Sequence, residues 1–263
     1  MHKVLWIAAA IIGISGLPRQ LQAEVQTKRV EYQHGGQTLE GTLAWDDAAD
    51  GKRPGVLVVH EWWGLDDYAR GRAEQLAELG YVAFALDMYG KGKLTEHPPE
   101  AMQWSGKIRE NIDNWRARAA AGLEVLQKHS LVDSQRLAAI GYCFGGATVM
   151  HMAYAGMPVA GVVSFHGSLP VADEKQGKQL KARILVCHGA ADGFVPEARA
   201  DEFRKALQAA GADWQMIYYA GAKHSFTNPD ADAKGIAAIG YQAEADRRSW
   251  AHMRTFFDEI FAD

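Results

Sequence analysis

One stretch limits this chain more than any other: Leu137-Ala138-Ala139-Ile140-Gly141-Tyr142-Cys143-Phe144-Gly145-Gly146, followed by Ala147-Thr148-Val149-Met150. An apolar run ends in Gly-x-Cys-x-Gly and passes at once into residues that favour helix. This is the strand–turn–helix context of a nucleophile elbow, with Cys143 in the place usually held by serine. The turn needs glycine at Gly141 and Gly145, because a Cβ there would obstruct the close approach of backbone segments. It also sets Cys143 at the N-terminus of the following helix, whose positive end favours a thiolate. Taken alone, the motif is read equally well as a buried structural cysteine in a glycine-rich βα loop, so its partners must decide.

At 263 residues the chain has room for one large α/β domain or two small ones. A net charge of −4 leaves no basic footprint for nucleic acid. Two cysteines, Cys143 and Cys187, are too few for a disulfide framework. The first residues form a separate object. His2-Lys3 precede the apolar run Val4 to Ile14, and Gly16 and Pro18 break it. That run is short for a membrane span and matches a secretory h-region, with Leu21-Gln22-Ala23 as the cleavage signal. Residues 1–23 are therefore expected to be a signal peptide, and 24–263 one mature domain. Export to the periplasm or beyond follows, with no stable membrane association after cleavage. An uncleaved N-terminal anchor is the competing reading. An oxidising compartment also leaves a bridge between Cys143 and Cys187 open, and a permanent one would defeat a catalytic cysteine.

In chain order, Thr27–Gln33 and Thr38–Trp45 alternate in polarity around Gly35-Gly36 and predict an antiparallel hairpin. Val56–Val59 is apolar on both faces, as a central parallel strand would be, and ends in His60-Glu61-Trp62-Trp63-Gly64. Asp66 caps a helix that Gly80 stops. Tyr81–Leu86 is the next strand, followed by a long connection from Met88 to Pro99. Ala101–Lys128 reads as largely helical, with Gly106 and Gly122 weakening a single unbroken helix. After the elbow come a strand at Val159–Phe165, a polar excursion at Ser168–Lys181 and a strand at Arg183–His188. A helix at Pro196–Ala210, a strand at Trp214–Tyr218 and an amphipathic closing helix at Ile239–Phe261 complete the chain. Strands alternating with helices predict an α/β fold: a mostly parallel sheet with helices on both faces, preceded by the antiparallel hairpin.

In such a sheet, functional groups belong at the carboxyl ends of the strands. Cys143, Asp192, His224 and Glu61 each follow a predicted strand, and nucleophile, acid and histidine stand in the order of the α/β-hydrolase triad. With these residues the sequence resembles the dienelactone hydrolase family, the cysteine branch of the α/β-hydrolases, from about Thr38 to Phe261. The resemblance rests on His60–Gly64, Gly141–Gly146, Gly189-Ala190-Ala191-Asp192 and Gly221-Ala222-Lys223-His224-Ser225-Phe226. It implies that Cys143 is the nucleophile, His224 its base and Asp192 the acid that orients the base. Glu61 matches the family glutamate that takes part in activating the thiol. Backbone N–H groups of Trp62 and Phe144 are then the expected oxyanion-hole donors. His60, His166 and His188 also lie at strand ends and are read as supporting residues, with His166 a candidate for substrate contact.

The family's best-known members hold a substrate carboxylate with two arginines. The positions that match them read Thr227-Asn228-Pro229 and Thr95-Glu96-His97-Pro98-Pro99-Glu100-Ala101, with no arginine. Lys91, Lys93 and His97 are the nearby cationic candidates, whereas Trp62, Trp63, Tyr89 and Phe226 predict an aromatic, apolar mouth. The expected activity is hydrolysis of a small carboxylic ester or lactone through a thioester, with no metal or cofactor. Amide or peptide cleavage by the same triad, and a binding protein on a retired hydrolase fold, are the alternatives.

Overall fold

The computed structural model describes residues 24–48 and 51–262. The expected signal peptide lies outside the described residues, and no helix within them is long and apolar enough to cross a membrane. The hairpin is β1 (Val25–His34) paired antiparallel with β2 (Gln37–Asp46). β1 is the sheet edge and alternates between half-buried and exposed positions. The chain continues through β3 (Arg53–Val59), α1 (Asp67–Glu78), β4 (Val82–Leu86), α2 (Pro98–Arg109) and α3 (Ile112–Gln127). β5 (Val132–Tyr142) leads into α4 (Phe144–Tyr154), then β6 (Gly161–Phe165), α5 (Glu174–Gln179), β7 (Arg183–Gly189), α6 (Glu197–Ala209), β8 (Trp214–Tyr219) and α7 (Ala243–Ile260).

The eight strands form one sheet in the order β1-β2-β4-β3-β5-β6-β7-β8. β2 joins β4 antiparallel, and every pair from β4 to β8 is parallel. Val56–Val59, Val82–Leu86 and Leu137–Ile140 are fully buried, as expected of strands covered on both faces. Alternation along β3 sends Leu57 and Val59 to one core, shared with Trp115, Leu123 and Phe144, and Val56 and Val58 to the other. That second core lies under α1 and α7, through Leu76, Met253 and Phe257. The chain leaves β3 for β4 on one side and later places β5 on the other, so the crevice between β3 and β5 is the topological switch point where such sheets take ligands.

Two local expectations are corrected. The long helical stretch breaks at Asn111 rather than at a glycine. The Asn111 side chain accepts from the Asn114 N–H at 2.9 Å and starts α3 afresh, because a good cap gives a new helix its own start. Gly122 stays within α3, where a Cβ would come within 2.9 Å of Leu86. The polar excursion holds one short helix, α5, closed by a capping box between Asp173 and Gln176. As the sequence predicts, Asp66 caps α1 by accepting from the Ala69 N–H at 3.0 Å.

Candidate active site

At the elbow, backbone packs on backbone. A Cβ on Gly141 would lie 2.1 Å from the Gly145 carbonyl oxygen, and one on Gly145 would lie 2.2 Å from that of Val59. Both distances are impossible, so glycine is required at each. The turn between them holds Cys143 at φ +53° and ψ −110°, at the N-cap of α4. The other non-glycine residues with positive φ among those described are His166 and Ser225. Backbone strain of this kind, about 1–3 kcal/mol per residue, persists only where surrounding contacts over-determine it. All three strained residues converge on one site.

His224, in the turn after β8, is buried. Its Nδ1–H donates to Asp192 Oδ2 at 2.8 Å, while Asp192 Oδ1 accepts from the Phe194 N–H at 2.9 Å. Burial would lower the pKa of His224, but its electrostatic pairing with Cys143 and the hydrogen bond to Asp192 outweigh it and push it up to about 10. Cys143, His224 and Asp192, the residues expected as nucleophile, base and acid, therefore lie together. Phe144 opens α4, so its N–H is one of the first-turn donors without an intrahelical acceptor. Trp62 follows Glu61 in the turn after β3.

The fully buried Glu61 engages the residues after His224. Ser225 Oγ donates to Glu61 Oε1 at 2.5 Å, and Asn228 Nδ2 to Oε2 at 2.6 Å. Thr227 completes this turn. Its hydroxyl shares hydrogen bonds with Tyr68 at 2.6 Å and His166 Nε2 at 2.7 Å, and its carbonyl accepts from buried Arg72 at 2.8 Å. The Arg72 charge is met by Asp246 at 2.5 Å and by the rings of Tyr68 and Trp250. Removing Asp246 would leave the buried Arg72 guanidinium without its counter-charge. Apart from Glu61 and His166, these supports were not anticipated. Ser225, Thr227 and Asn228 carried a sequence signal in their nearness to His224, whereas Arg72 meets them only through tertiary packing.

The three other strand-end histidines are structural. His60 Nε2 accepts from the Met88 N–H at 3.1 Å, and its Nδ1–H is bound to the Glu61 carbonyl. Burial holds the pKa values of His60, His166 and His188 below the ordinary range. His166 stands edge-on to His224, with ring centres 5.3 Å apart, and is fully buried, so its expected contact with substrate is replaced by a supporting one.

The expected aromatic mouth is corrected as well. Trp63, Tyr89 and Phe226 are only 2%, 3% and 0% exposed, because the core takes up the apolar area of their rings. Tyr89 packs on His60 and Phe144, and Phe226 on His166 and Tyr219. The cleft beside the elbow is instead lined by Trp115, Ala147, His151, Leu169, Phe194 and Val195, with Arg109 and Arg199 among its other walls. Phe194 stands edge-on to His224, with ring centres 5.1 Å apart. Lys91, Lys93 and His97 do not line it. Lys91 pairs with Glu31 and Glu40, Lys93 lies over Trp104, and His97 is the N-cap of α2.

Cys143 and Cys187 are both free thiols. Cys187 lies within β7, fully buried, and burial pushes its pKa up to about 12, which leaves it unreactive at neutral pH.

A mostly parallel sheet with an antiparallel start, helices on both faces and its polar site at the strand ends is the architecture of an α/β-hydrolase. The chain belongs to the dienelactone hydrolase family, whose family pattern matches residues 39–261. It is 39% identical to a solved protein called m3DLH, at a TM-score of 0.87, with 90% of this chain and 99% of that one covered. A dienelactone hydrolase-like promiscuous phosphotriesterase from metagenomic libraries is 36% identical at a TM-score of 0.88, covering 91% of this chain and 99% of that one. A protein of Aquifex aeolicus that carries the name of a carboxymethylenebutenolidase is 29% identical over 205 residues, 76% of this chain and 86% of its own length. The chain is a carboxylic ester hydrolase by family.

The charge on His224 gives a testable titration. A folded-state pKa pushed up to about 10, above the ordinary 6.5, predicts that His224 keeps its proton through neutral pH and loses it as pH rises through about 10. Cys143→Ala removes the largest influence that raises it, so the midpoint should fall below that of the wild type. Histidine ¹⁵N resonances followed from pH 5 to pH 11, assigned with His224→Gln, measure both midpoints. Equal midpoints would show that Cys143 and His224 are not electrostatically paired.

Proposed function

We propose that this protein cleaves a carboxylic ester or lactone through a covalent thioester on Cys143. The observation that carries the reading is geometric: His224 is hydrogen-bonded to Asp192 at 2.8 Å and lies beside Cys143, which the elbow holds at φ +53° at the start of α4. The Cys143 sulfur attacks the carbonyl carbon, and the negative charge that develops on its oxygen is met by the N–H groups of Trp62 and Phe144. When the intermediate collapses, the C–O bond breaks and the leaving oxygen takes the proton from His224. In a lactone the leaving oxygen remains tethered, and the ring opens. His224 then removes a proton from water, whose oxygen attacks the thioester carbonyl. Breaking the C–S bond releases the acid and returns the thiolate–imidazolium pair. Asp192 holds the imidazole in the Nδ1–H tautomer throughout, leaving Nε2 for these transfers.

Glu61 contributes by position in this scheme. Its carboxylate anchors Ser225 and Asn228, which fixes the turn that presents His224. We also propose export, with residues 1–23 removed, on the basis of the Lys3, apolar run and Ala23 series. The mass of the protein recovered from the periplasmic or extracellular fraction of its host should correspond to a start at Glu24, and retention of Met1 would contradict cleavage.

Hydrolysis of p-nitrophenyl acetate tests the chemistry. Cys143→Ala should abolish turnover while keeping the melting temperature, and Asp192→Asn should lower kcat by about 10²- to 10⁴-fold. Unchanged turnover in Cys143→Ala would overturn the cysteine mechanism.

A further inference from the structure

The cleft beside Cys143 has a volume of about 550 Å³, within the range of pockets that enclose drug-sized ligands and generous for a small lactone. Its floor is apolar: Trp115, Leu169 and Val195 line it but are themselves almost wholly packed, so the open apolar area is that of Phe194. Phe194 stands over this floor 52% exposed, a large apolar ring left open to solvent at the cleft edge. Two exposed guanidinium groups complete the walls. Arg109 lies 5.8 Å from the centre of the Phe144 ring and forms no ion pair among the described residues. Arg199 pairs at 3.1 Å with Glu202, which lies outside the lining. No carboxylate is among the residues that line the cleft, in a chain whose net charge is −4.

The cleft also has a side. Ala147 is one turn along α4 from Cys143, and Trp115 stacks on Phe144 at an interplanar angle of 3°. The acyl group remains bonded to Cys143 after the leaving group departs, so a cleft on this side of Cys143 can hold it through both halves of the reaction.

We propose that the preferred substrate carries a long apolar acyl chain ending in an anionic group, the chain lying on Trp115, Leu169, Phe194 and Val195 and the anion meeting Arg109 and Arg199. This deepens the hydrolase reading and rests on it. Each methylene removed from water favours the longer chain, by about fourfold where burial is complete and less in an open cleft. The terminal anion gains from two solvent-exposed cations, a smaller and salt-sensitive effect.

Three p-nitrophenyl esters test the proposal: the acetate, the octanoate and the monoester of octanedioic acid. In kcat/KM the octanoate should exceed the acetate by about tenfold or more. The octanedioic monoester should exceed the octanoate by about threefold or more. That second ratio should fall towards one in the Arg109→Gln/Arg199→Gln double variant and in wild type at about 0.5 M sodium chloride. An octanoate no better than the acetate, or an octanedioic monoester no better than the octanoate, overturns the proposal. In either case Cys143-dependent cleavage of the acetate would leave the hydrolase reading standing. A protein inert towards all three esters, or equally active on the acetate as Cys143→Ala, overturns both readings.

Discussion

The contact on which the site depends is backbone against backbone, where the start of α4 presses into the ends of β3 and β5. Gly145 meets the Val59 carbonyl and Gly141 meets Gly145 at separations that leave no room for a Cβ. This contact turns the chain sharply enough to hold Cys143 in a positive-φ conformation at the N-terminus of α4. It also brings Cys143 to the switch point, beside the turn that follows β3. The relative placement of sulfur, imidazole and N–H donors is thus inherited from the way α4 packs on the sheet. The cost is local strain, offset by burial: all of α4 except His151 lies inside the protein.

Charge within this buried region is held by nested hydrogen bonds. Asp192 uses both oxygens, one for His224 and one for the Phe194 N–H. Glu61 likewise uses both, for Ser225 and Asn228. Arg72 meets Asp246 and the Thr227 carbonyl. An unpaired charge at such depth would be prohibitive, and each of these groups has partners that fix its orientation. Since Ser225, Thr227 and Asn228 follow His224 directly, the whole network converges on the placement of one imidazole.

The strands were legible because their apolar runs are short, two-faced and bounded by turn residues, as in Val56–Val59 and Leu137–Gly141. The meeting of Cys143, Asp192 and His224 was legible because strand ends share one edge of a parallel sheet. Residue type misled where tertiary packing decides. Trp63 and Phe226 are aromatic residues beside the site, yet they belong to the core, and only coordinates separate a ring that lines a cleft from one that supports it. Likewise the cations at the cleft come from α2 and α6, outside the quoted motifs, and packing decides which side chains of those helices reach the cleft, as Arg109 and Arg199 do. The break at Asn111 was hidden because glycine is the louder signal in a sequence, while a capping side chain acts through one hydrogen bond.

The central claim is that the acyl group passes through sulfur at Cys143. Rapid acid quenching during turnover of p-nitrophenyl octanoate, followed by peptide mass spectrometry, observes that intermediate directly. The account predicts an octanoyl adduct on the peptide containing Cys143, formed within a burst and removed by hydroxylamine, which cleaves thioesters. An adduct on another residue during undiminished turnover would contradict it.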